Sequence, residues 1–179
     1  MEMYDLYTAD RERTGKTMER WEQAPEGYYR LVVHICIFGS DGRMLIQQRQ
    51  PFKRGWANMW DISAGGSAIA GETSRQAAER ELREELGIEL ELPRPSLTIH
   101  WEKGFDEYFI ETLDVDPASL KLQPEEVQAA RWATKEEILA LIAEGRFVPY
   151  DRSMIELLFY RRNTRSSVTL PDASMRKKP

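Results

Sequence analysis

One segment of the sequence, from Thr73 to Leu86, carries clear signals for both ends of a helix. Thr73 is followed three residues later by Gln76, the pattern of a capping box, in which side chains satisfy free backbone N–H groups of the first turn. Gly87 follows directly and suits the left-handed conformation in which many helices end. The sequence therefore predicts a helix with defined ends, whose side chains must occupy defined faces.

The two faces of this predicted helix differ in chemistry. Residues three and four apart share a face, which places Glu81, Glu84 and Glu85 side by side. The opposite face carries apolar residues at four-residue spacing that suit packing on a sheet: Ala78, Leu82 and Leu86. Like-charged neighbours cost roughly 0.2–0.5 kcal/mol per pair, and a bound divalent cation would offset that cost. From the residues alone, the alternative is an acidic face that is simply solvated.

Composition narrows the kind of cation that such a face would bind. Cys36 is the single cysteine, which excludes an intrachain disulfide and a multi-cysteine metal site. His34 and His100 are the two imidazoles, whereas Asp and Glu together number 30. Carboxylate oxygens favour hard cations such as Mg²⁺ or Mn²⁺ over zinc. The formal net charge of -5 argues against broad nucleic-acid binding, so an anionic substrate would need local basic residues.

Length and apolar patterning point to one globular domain. The 179 residues suit a single domain with short appendages. The longest apolar run, Leu31 to Gly39, is far shorter than the roughly 20 residues of a membrane span, so we expect no membrane partner. The N-terminal residues mix charges and lack the order of a signal peptide. We therefore expect a cytoplasmic protein.

Periodic patterns along the rest of the chain predict an α+β domain. The predicted strands are Met3 to Thr8, Thr17 to Trp21, Tyr28 to Phe38, Met44 to Arg49, Asp61 to Ser63, Leu97 to Trp101, Glu107 to Leu113 and Val127 to Trp132. Two further helices are predicted, from Thr134 to Ala143 and within residues 150–162. The first two strands predict a hairpin, as do the next two. We expect an N-terminal hairpin extension at residues 1–27, a main domain at 28–162 and a loose tail at 163–179.

The segment from Gly66 to Ile88 carries a longer motif. It reads glycine, five residues, Glu72, seven residues, Arg80-Glu81-Leu82, one residue, Glu84-Glu85, one residue, Gly87-Ile88. Every defined position of the signature G-x5-E-x7-R-E-U-x-E-E-x-G-U is satisfied, and the chain therefore resembles the Nudix hydrolase family. The resemblance implies a Nudix fold, an α/β/α sandwich around a mixed β-sheet, and an enzyme that depends on Mg²⁺ or Mn²⁺.

The resemblance also implies a set of metal ligands and a reaction. Glu81, Glu84 and Glu85 would bind the metal ion, with the carbonyl of Gly66 as a further ligand. The reaction is attack of water on a pyrophosphate linkage, for which metal ions neutralise charge and make water more acidic. One glutamate must accept the proton of the water, and Glu81 is the candidate base. In this family the base varies, however, and it can come from a later loop.

The loop before the helix supplies residues that would support this site. The resemblance implies an organising ion pair between Glu72 and Arg80 beneath the loop, with an ordinary surface pair as the alternative. Gly65, Gly66 and Gly71 would let the loop bend tightly and bring backbone groups near a phosphate.

Two segments outside the signature, DLYTADRERTG at residues 5–15 and MLIQQRQPFKRGWANMWDIS at residues 44–63, together with the two glycines before the helix, resemble the isopentenyl diphosphate isomerase-like branch of the family. In the isomerases a cysteine precedes the signature glycines, but this chain has Ala64-Gly65-Gly66 there. Cys36 lies within an apolar strand pattern that is typical of a buried structural cysteine. The isomerases also use a glutamate in a strand after the signature, and Glu107 is the nearest equivalent, as a base or metal ligand. A solvated carboxylate at a strand edge is the alternative for Glu107.

Basic and aromatic residues after the fourth strand are candidates for substrate binding. Arg49, Lys53 and Arg54 form the basic cluster nearest to the motif and would contact phosphates, with ordinary loop solvation as the alternative. Trp56 and Trp60 would stack on a base or a prenyl chain, or pack the loop onto the domain.

These observations predict a Mg²⁺-dependent pyrophosphohydrolase that cleaves a diphosphate linkage in a nucleoside diphosphate derivative or a similar small organic diphosphate. Isopentenyl diphosphate isomerase is the alternative enzyme, disfavoured by Ala64. A Nudix-fold regulator that binds a nucleotide without hydrolysing it is the non-enzymatic alternative. The expected partner is a small-molecule diphosphate rather than nucleic acid, and the sequence leaves open whether the hairpin and the tail mediate a homodimer.

Overall fold

The computed structural model describes residues 2–164, which form a two-stranded sheet, a seven-stranded sheet and three α-helices. In chain order the strands are β1 (Met3–Tyr7), β2 (Arg13–Glu19), β3 (Arg30–Phe38), β4 (Met44–Arg49), β5 (Trp60–Asp61), β6 (Ala64–Ser67), β7 (Leu97–Trp101), β8 (Gly104–Thr112) and β9 (Val127–Ala133). The helices are α1 (Ser74–Leu86), α2 (Lys135–Ala143) and α3 (Arg152–Arg161). None of these helices combines the length and the apolar character that a membrane span requires.

Strand β3 is the centre of the large sheet. It pairs in parallel with β8 along its whole length, and β8 pairs with β7. On its other side β3 pairs antiparallel with β6 and with the start of β4, and β4 carries β5 and β9. The sheet is therefore mixed, as the resemblance to the family implied.

The predicted hairpin of β3 and β4 forms, but the two strands pair only at Phe38 and Met44. They then diverge, and β6 occupies the gap beside β3. The buried hydroxyl of Ser63 bridges the gap because it accepts from the N–H of Ile37 at 2.8 Å and donates to the carbonyl of Leu45 at 2.6 Å. Strand β6 was missed from the sequence, since two of its four residues are glycines, which disfavour strands.

Two apolar clusters lie on opposite faces of the sheet. Alternate residues of β3 point to opposite faces, so that Ile35 joins the cluster beneath α1 while Cys36 joins the cluster beneath α2 and α3. The helices thus form the two outer layers of an α/β/α sandwich. Because Leu82 and Leu86 of α1 are completely buried, the rotation of this helix about its axis is fixed.

The N-terminal hairpin forms its own sheet, with a correction to its second strand. The sequence predicted that strand from Thr17 to Trp21, whereas β2 begins earlier and ends at Glu19. Trp21 therefore lies beyond the strand, with a positive φ of 85°. The hairpin contacts the large sheet through the bridge between Tyr7 and Tyr29. Most of the tail predicted at 163–179 lies outside the described residues.

Candidate active site

Helix α1 has the two ends that the sequence predicted. The side chain of Thr73 accepts from the N–H of Gln76 at 3.3 Å, and the side chain of Gln76 accepts from the N–H of Thr73 at 2.9 Å. Gly87 ends the helix in the left-handed region, with φ at 68°. Its N–H donates to the carbonyl of Arg83 at 3.0 Å. These caps fix which residues of α1 face the loop that follows β6.

Glu72 and Arg80 form an ion pair between that loop and α1. The guanidinium of Arg80 donates to both oxygens of Glu72, at 2.7 and 3.1 Å, in a bidentate arrangement. Arg80 also donates to the carbonyl of Ser67 at 3.2 Å, and Glu72 accepts from the N–H of Ile69 at 3.0 Å. The pair therefore connects both ends of the loop to the helix.

The same guanidinium separates two of the helix glutamates. Arg80 donates to Glu81 at 2.8 Å and to Glu84 at 3.1 Å, which offsets the repulsion that their spacing creates. Glu81 lies directly against Gly66, since a Cβ on that glycine would lie 2.3 Å from a carboxylate oxygen of Glu81. The side chain of Glu81 is 14% exposed and that of Glu84 is 44% exposed. The two carboxylates thus border the loop at different depths.

Glu85 is buried, with 3% of its surface exposed. Its carboxylate accepts from the side-chain amide of Gln47 at 2.8 Å and from the N–H of Gly65 at 3.1 Å. Burial, and then the nearby charge of Glu81, raise the pKa of the Glu85 carboxyl well above its usual value. Burial also raises the pKa of Glu81, against the opposing charge of Arg80. A cation next to these two carboxylates would stabilise their charged forms.

The donor atoms at this place suit a hard divalent cation. Carboxylate oxygens of Glu81, Glu84 and Glu85 and the carbonyl of Gly66 are oxygen donors of the kind that Mg²⁺ and Mn²⁺ prefer. The buried amide oxygen of Gln47 has no hydrogen-bond partner beside them. Across residues 2–164, no three His, Cys, Asp or Glu side chains are already gathered as a metal site. Glu81 and Glu84, which pair with Arg80, would therefore have to reorient for all three glutamates to share one cation.

The acidic face of α1 and the predicted basic cluster line one cleft. The cleft has a volume of about 740 Å³, and its lining includes all three helix glutamates together with Arg49, Lys53 and Arg54. Arg49 pairs with Asp61 at 3.6 Å and Lys53 pairs with Glu126, so both cations are held by carboxylates. These residues are far apart in sequence, and the sheet brings them together.

The N-terminal hairpin also contributes to the cleft, which sequence reasoning missed. Tyr4, Arg20 and Trp21 are among the lining residues, as is Arg30 at the start of β3. Nothing in the local sequence pattern marks these side chains, because their position depends on how the hairpin packs on the loop after β6.

Glu107 does not join the lining of the cleft. It lies on β8 with 8% of its surface exposed and pairs with Arg11 of the hairpin at 3.2 Å. Phe105 and Phe109, two residues away on either side, belong to the cluster beneath α1, and strand alternation sends Glu107 to that same face. Its carboxylate thus contacts the hairpin and not the cleft, although Glu107 lies beside Val33, which pairs with Gly66 on its other side.

Other residues singled out from the sequence also lie outside the cleft. Cys36 is completely buried, and burial raises the pKa of its thiol far above the usual value. Ala64 is buried in β6 opposite Ile35. Trp60 packs against the cluster beneath α2 and α3, and Trp56 is half exposed on the loop after β4. No thiol therefore lines the cleft, since Cys36 is the single cysteine.

Comparison with known sequences adds a second line of evidence. The sequence profile of the NUDIX domain matches residues 28–158. The chain belongs to the Nudix hydrolase family. An uncharacterized Nudix hydrolase of Listeria monocytogenes is 53% identical to this Nudix hydrolase over 152 residues, which are 84% of this chain and 90% of the relative. An isopentenyl-diphosphate Delta-isomerase of Serratia proteamaculans is 30% identical over 145 residues, 76% of this chain and 79% of the relative.

A solved structure supports the same assignment. A protein of Deinococcus radiodurans superposes with a TM-score of 0.73 at 28% identity, and the match covers 91% of this chain and 100% of that one. The predicted family and its fold are thereby confirmed, and the similarity to an isomerase is consistent with the predicted isomerase-like branch. This Nudix hydrolase is an enzyme that acts on phosphorus-containing anhydrides of small molecules.

Proposed function

We propose that this Nudix hydrolase is a Mg²⁺- or Mn²⁺-dependent pyrophosphohydrolase of nucleoside diphosphate derivatives or similar small organic diphosphates. The observation that carries the proposal is that the acidic face of α1 and the basic residues Arg49, Lys53 and Arg54 line the same cleft. Such a cleft can bind a diphosphate in two ways. Its cationic side chains can contact the outer phosphate oxygens, and its carboxylates can bind a divalent cation that contacts the diphosphate.

Each group in the cleft has a role in this proposal. Arg49, Lys53 and Arg54 would bind phosphate oxygens and orient the linkage. Glu81 would accept a proton from the attacking water, whose oxygen bonds to phosphorus as the bridging P–O bond breaks and the leaving phosphate departs. Mg²⁺ or Mn²⁺, when bound by the helix glutamates and the Gly66 carbonyl, would neutralise phosphate charge and lower the pKa of water. The Glu72–Arg80 pair would hold the loop in place.

Residue chemistry makes the isomerase alternative less favourable. That reaction in the related enzymes relies on a thiol in the site, but Ala64 occupies the corresponding position and Cys36 is buried on the face of the sheet beneath α2 and α3. Glu107, the second candidate for isomerase chemistry, pairs with Arg11 outside the cleft lining.

A substrate panel tests the proposal. Nucleoside diphosphates and triphosphates, nucleotide sugars, dinucleotides and isopentenyl diphosphate would each be incubated with Mg²⁺ and then with EDTA, and the products identified. We expect release of phosphate or monophosphate that EDTA abolishes. An isomer formed without phosphate release would support the isomerase, and tight nucleotide binding without turnover would support the regulator.

A double substitution tests the role of the acidic face. Glu84→Gln with Glu85→Gln removes two negative charges and should reduce Mg²⁺-dependent turnover to background. Glu79→Gln is a matched control on the same helix, because Glu79 accepts from the N–H of Leu92 at 3.0 Å, a bond that glutamine can keep. Near-normal turnover of the double variant would remove the metal site from the proposal.

A further inference from the structure

Trp21 is unusual in both its backbone and its surroundings. Its φ of 85° lies in a region that bulky residues rarely adopt, and its side chain stays 64% exposed although nearby apolar side chains of the hairpin are buried. The surrounding structure holds the indole at the cleft instead of in the core. Conformations of this kind persist where the structure constrains them, and they occur often at functional sites.

The indole of Trp21 connects the two sides of the cleft. The guanidinium carbon of Arg20, on the hairpin, lies 4.8 Å from the ring centre, and that of Arg54, on the loop after β4, lies 4.9 Å from it. Phe52 on the same loop also lines the cleft and is 69% exposed. Two exposed aromatic rings and two guanidinium groups therefore stand beside the proposed diphosphate site.

The hairpin fixes the position of Trp21 relative to the loop between β6 and α1. The N–H of Ala70 donates to the carbonyl of Met3 at 2.7 Å, and the N–H of Gly71 donates to Asp5 at 2.9 Å. Arg20 donates from its backbone N–H to the carbonyl of Glu2 at 3.0 Å and from its side chain to the carboxylate of Glu2 at 2.6 Å. The end of β2, and with it Trp21, is thus tied to the loop that the catalytic proposal uses.

We propose that Trp21 and Phe52 form a stacking subsite for the nucleobase of the substrate, so that the N-terminal hairpin selects nucleoside diphosphate derivatives over other organic diphosphates. This inference rests on the proposed function for the position of the diphosphate. It assigns a specificity role to Trp21, which precedes the segment matched by the NUDIX profile, and to Phe52, which lies within that segment at residues 28–158.

The surroundings of the two rings favour a flat heterocycle over a prenyl chain. A prenyl chain packed here would bury the guanidinium group of Arg54 without giving it a hydrogen-bond acceptor, which is unfavourable. A nucleobase presents its π-face to the indole and carbonyl or ring-nitrogen acceptors to the guanidinium group of Arg54.

Calorimetric titration separates binding of the base from binding of the diphosphate. The ligands are the α,β-methylene analogues of ADP, GDP, CDP and UDP, which resist hydrolysis, with methylenediphosphonate as the base-free probe and isopentenyl diphosphate as the apolar probe. Each is titrated in the presence of Mg²⁺. We expect the full chain to bind at least one nucleotide analogue about tenfold or more tightly than either probe.

Three variants test whether the tighter binding of nucleotide analogues depends on the aromatic ring of Trp21. Trp21→Ala should weaken nucleotide binding about tenfold, the effect expected for loss of one base–aromatic stack, and leave methylenediphosphonate binding unchanged. Trp21→Phe should retain most of the affinity, because the ring is kept. Tyr160→Ala removes a half-exposed aromatic residue of α3 that does not line the cleft and should change nothing.

The outcomes distinguish this inference from the proposed function. Equal affinities for nucleotides and probes, unchanged nucleotide binding in Trp21→Ala, or equal weakening of both ligand classes would each overturn the stacking subsite. Nucleotide binding that depends on Trp21, in a protein that hydrolyses no member of the substrate panel, would support the subsite and overturn the proposed hydrolase function.

Discussion

The carboxyl group of Glu85 is enclosed between α1 and the sheet, where Gln47 and Gly65 donate hydrogen bonds to it. Burial and the nearby Glu81 raise the pKa of Glu85, so in the metal-free protein its ionised form is held less stably in the folded chain than in the unfolded chain. A carboxyl group whose pKa is raised on folding stabilises the folded protein at a pH below the pKa that the group has in the unfolded chain, near 4.5. That contribution is lost as the pH rises through the folded-state pKa.

A single substitution tests whether the charge of Glu85 destabilises the folded protein in the absence of metal. In the metal-free protein at neutral pH, Glu85→Gln should raise the melting temperature, because glutamine still accepts both hydrogen bonds and carries no charge. Each kcal/mol gained corresponds to roughly 2–4 °C for a domain of this size. The measurement is thermal unfolding in EDTA at pH 5 and pH 8, with a larger gain expected at pH 8. A lower melting temperature at both values would contradict this account of Glu85.

Arg80 holds together several carboxylates of the candidate site. It makes a bidentate pair with Glu72 and single contacts with Glu81 and Glu84. A planar guanidinium donates in several directions at once, and its charge is permanent within proteins, which lysine does not reproduce. The local geometry around the acidic face therefore depends on this one side chain.

At the scale of elements, the N-terminal hairpin supports the loop between β6 and α1. Asp5 accepts from the N–H of Gly71, and Arg13 donates to the carbonyls of Gly71 and Glu72. The Nε atom of Arg13 also lies 3.4 Å from a carboxylate oxygen of Asp5, so the two side chains pair with each other while both contact the loop. Because Glu72 then pairs with Arg80, these contacts lead from the hairpin to the acidic face of α1.

Loss of this support should reduce activity more than stability. We expect Asp5→Ala with Arg13→Ala to lower kcat/KM for a diphosphate substrate about tenfold, the lower end of effects seen when outer-shell partners of metal ligands are removed. The melting temperature should fall by only a few degrees. Steady-state kinetics and thermal unfolding measure the two effects.

A pair elsewhere on the surface serves as the control for that test. Arg43 pairs with Asp41 at 2.7 Å in the turn between β3 and β4, and Arg43→Ala with Asp41→Ala should leave kcat/KM unchanged. Equal activity in the hairpin variant and the wild type would show that the hairpin contacts do not position the loop.

At the scale of the whole molecule, stability depends on the parallel pair of β3 and β8 that the two apolar clusters enclose. Phe109 of β8 is completely buried in the cluster beneath α1, where Ile35 of β3 and Leu82 of α1 also lie. Side chains from distant parts of the chain therefore share one core, and a cavity there affects the sheet and the helix together.

Removal of the Phe109 ring should destabilise the entire domain. Phe109→Ala is expected to reduce the free energy of unfolding by about 3–5 kcal/mol, from lost burial and an unfilled cavity. Urea denaturation measures the change. Ile99→Ala on β7, where the side chain is 36% exposed, should cost less than about 1 kcal/mol. Similar losses for the two variants would contradict the position of Phe109 in the core.

The sequence by itself determined the local features of the candidate site. The capping box of Thr73 and Gln76, the terminal Gly87 and the spacing of the helix glutamates all depend on residues within a few positions of each other. Short-range hydrogen bonds and the 3.6-residue period suffice to specify them. The family signature, which spans one loop and one helix, could be recognised for the same reason.

Tertiary structure alone decided which distant residues share the cleft. Glu107 was a reasonable candidate by its order in the chain, but its carboxylate pairs with Arg11 of the hairpin at 3.2 Å, a contact between distant segments that no local pattern indicates. Trp21 had no local signal, and its place depends on contacts between the hairpin and a distant loop, such as the hydrogen bond between Asp5 and Gly71, which are 66 residues apart. Long-range packing sets the distances between side chains of distant segments, because interactions between neighbouring residues are compatible with many arrangements of the elements.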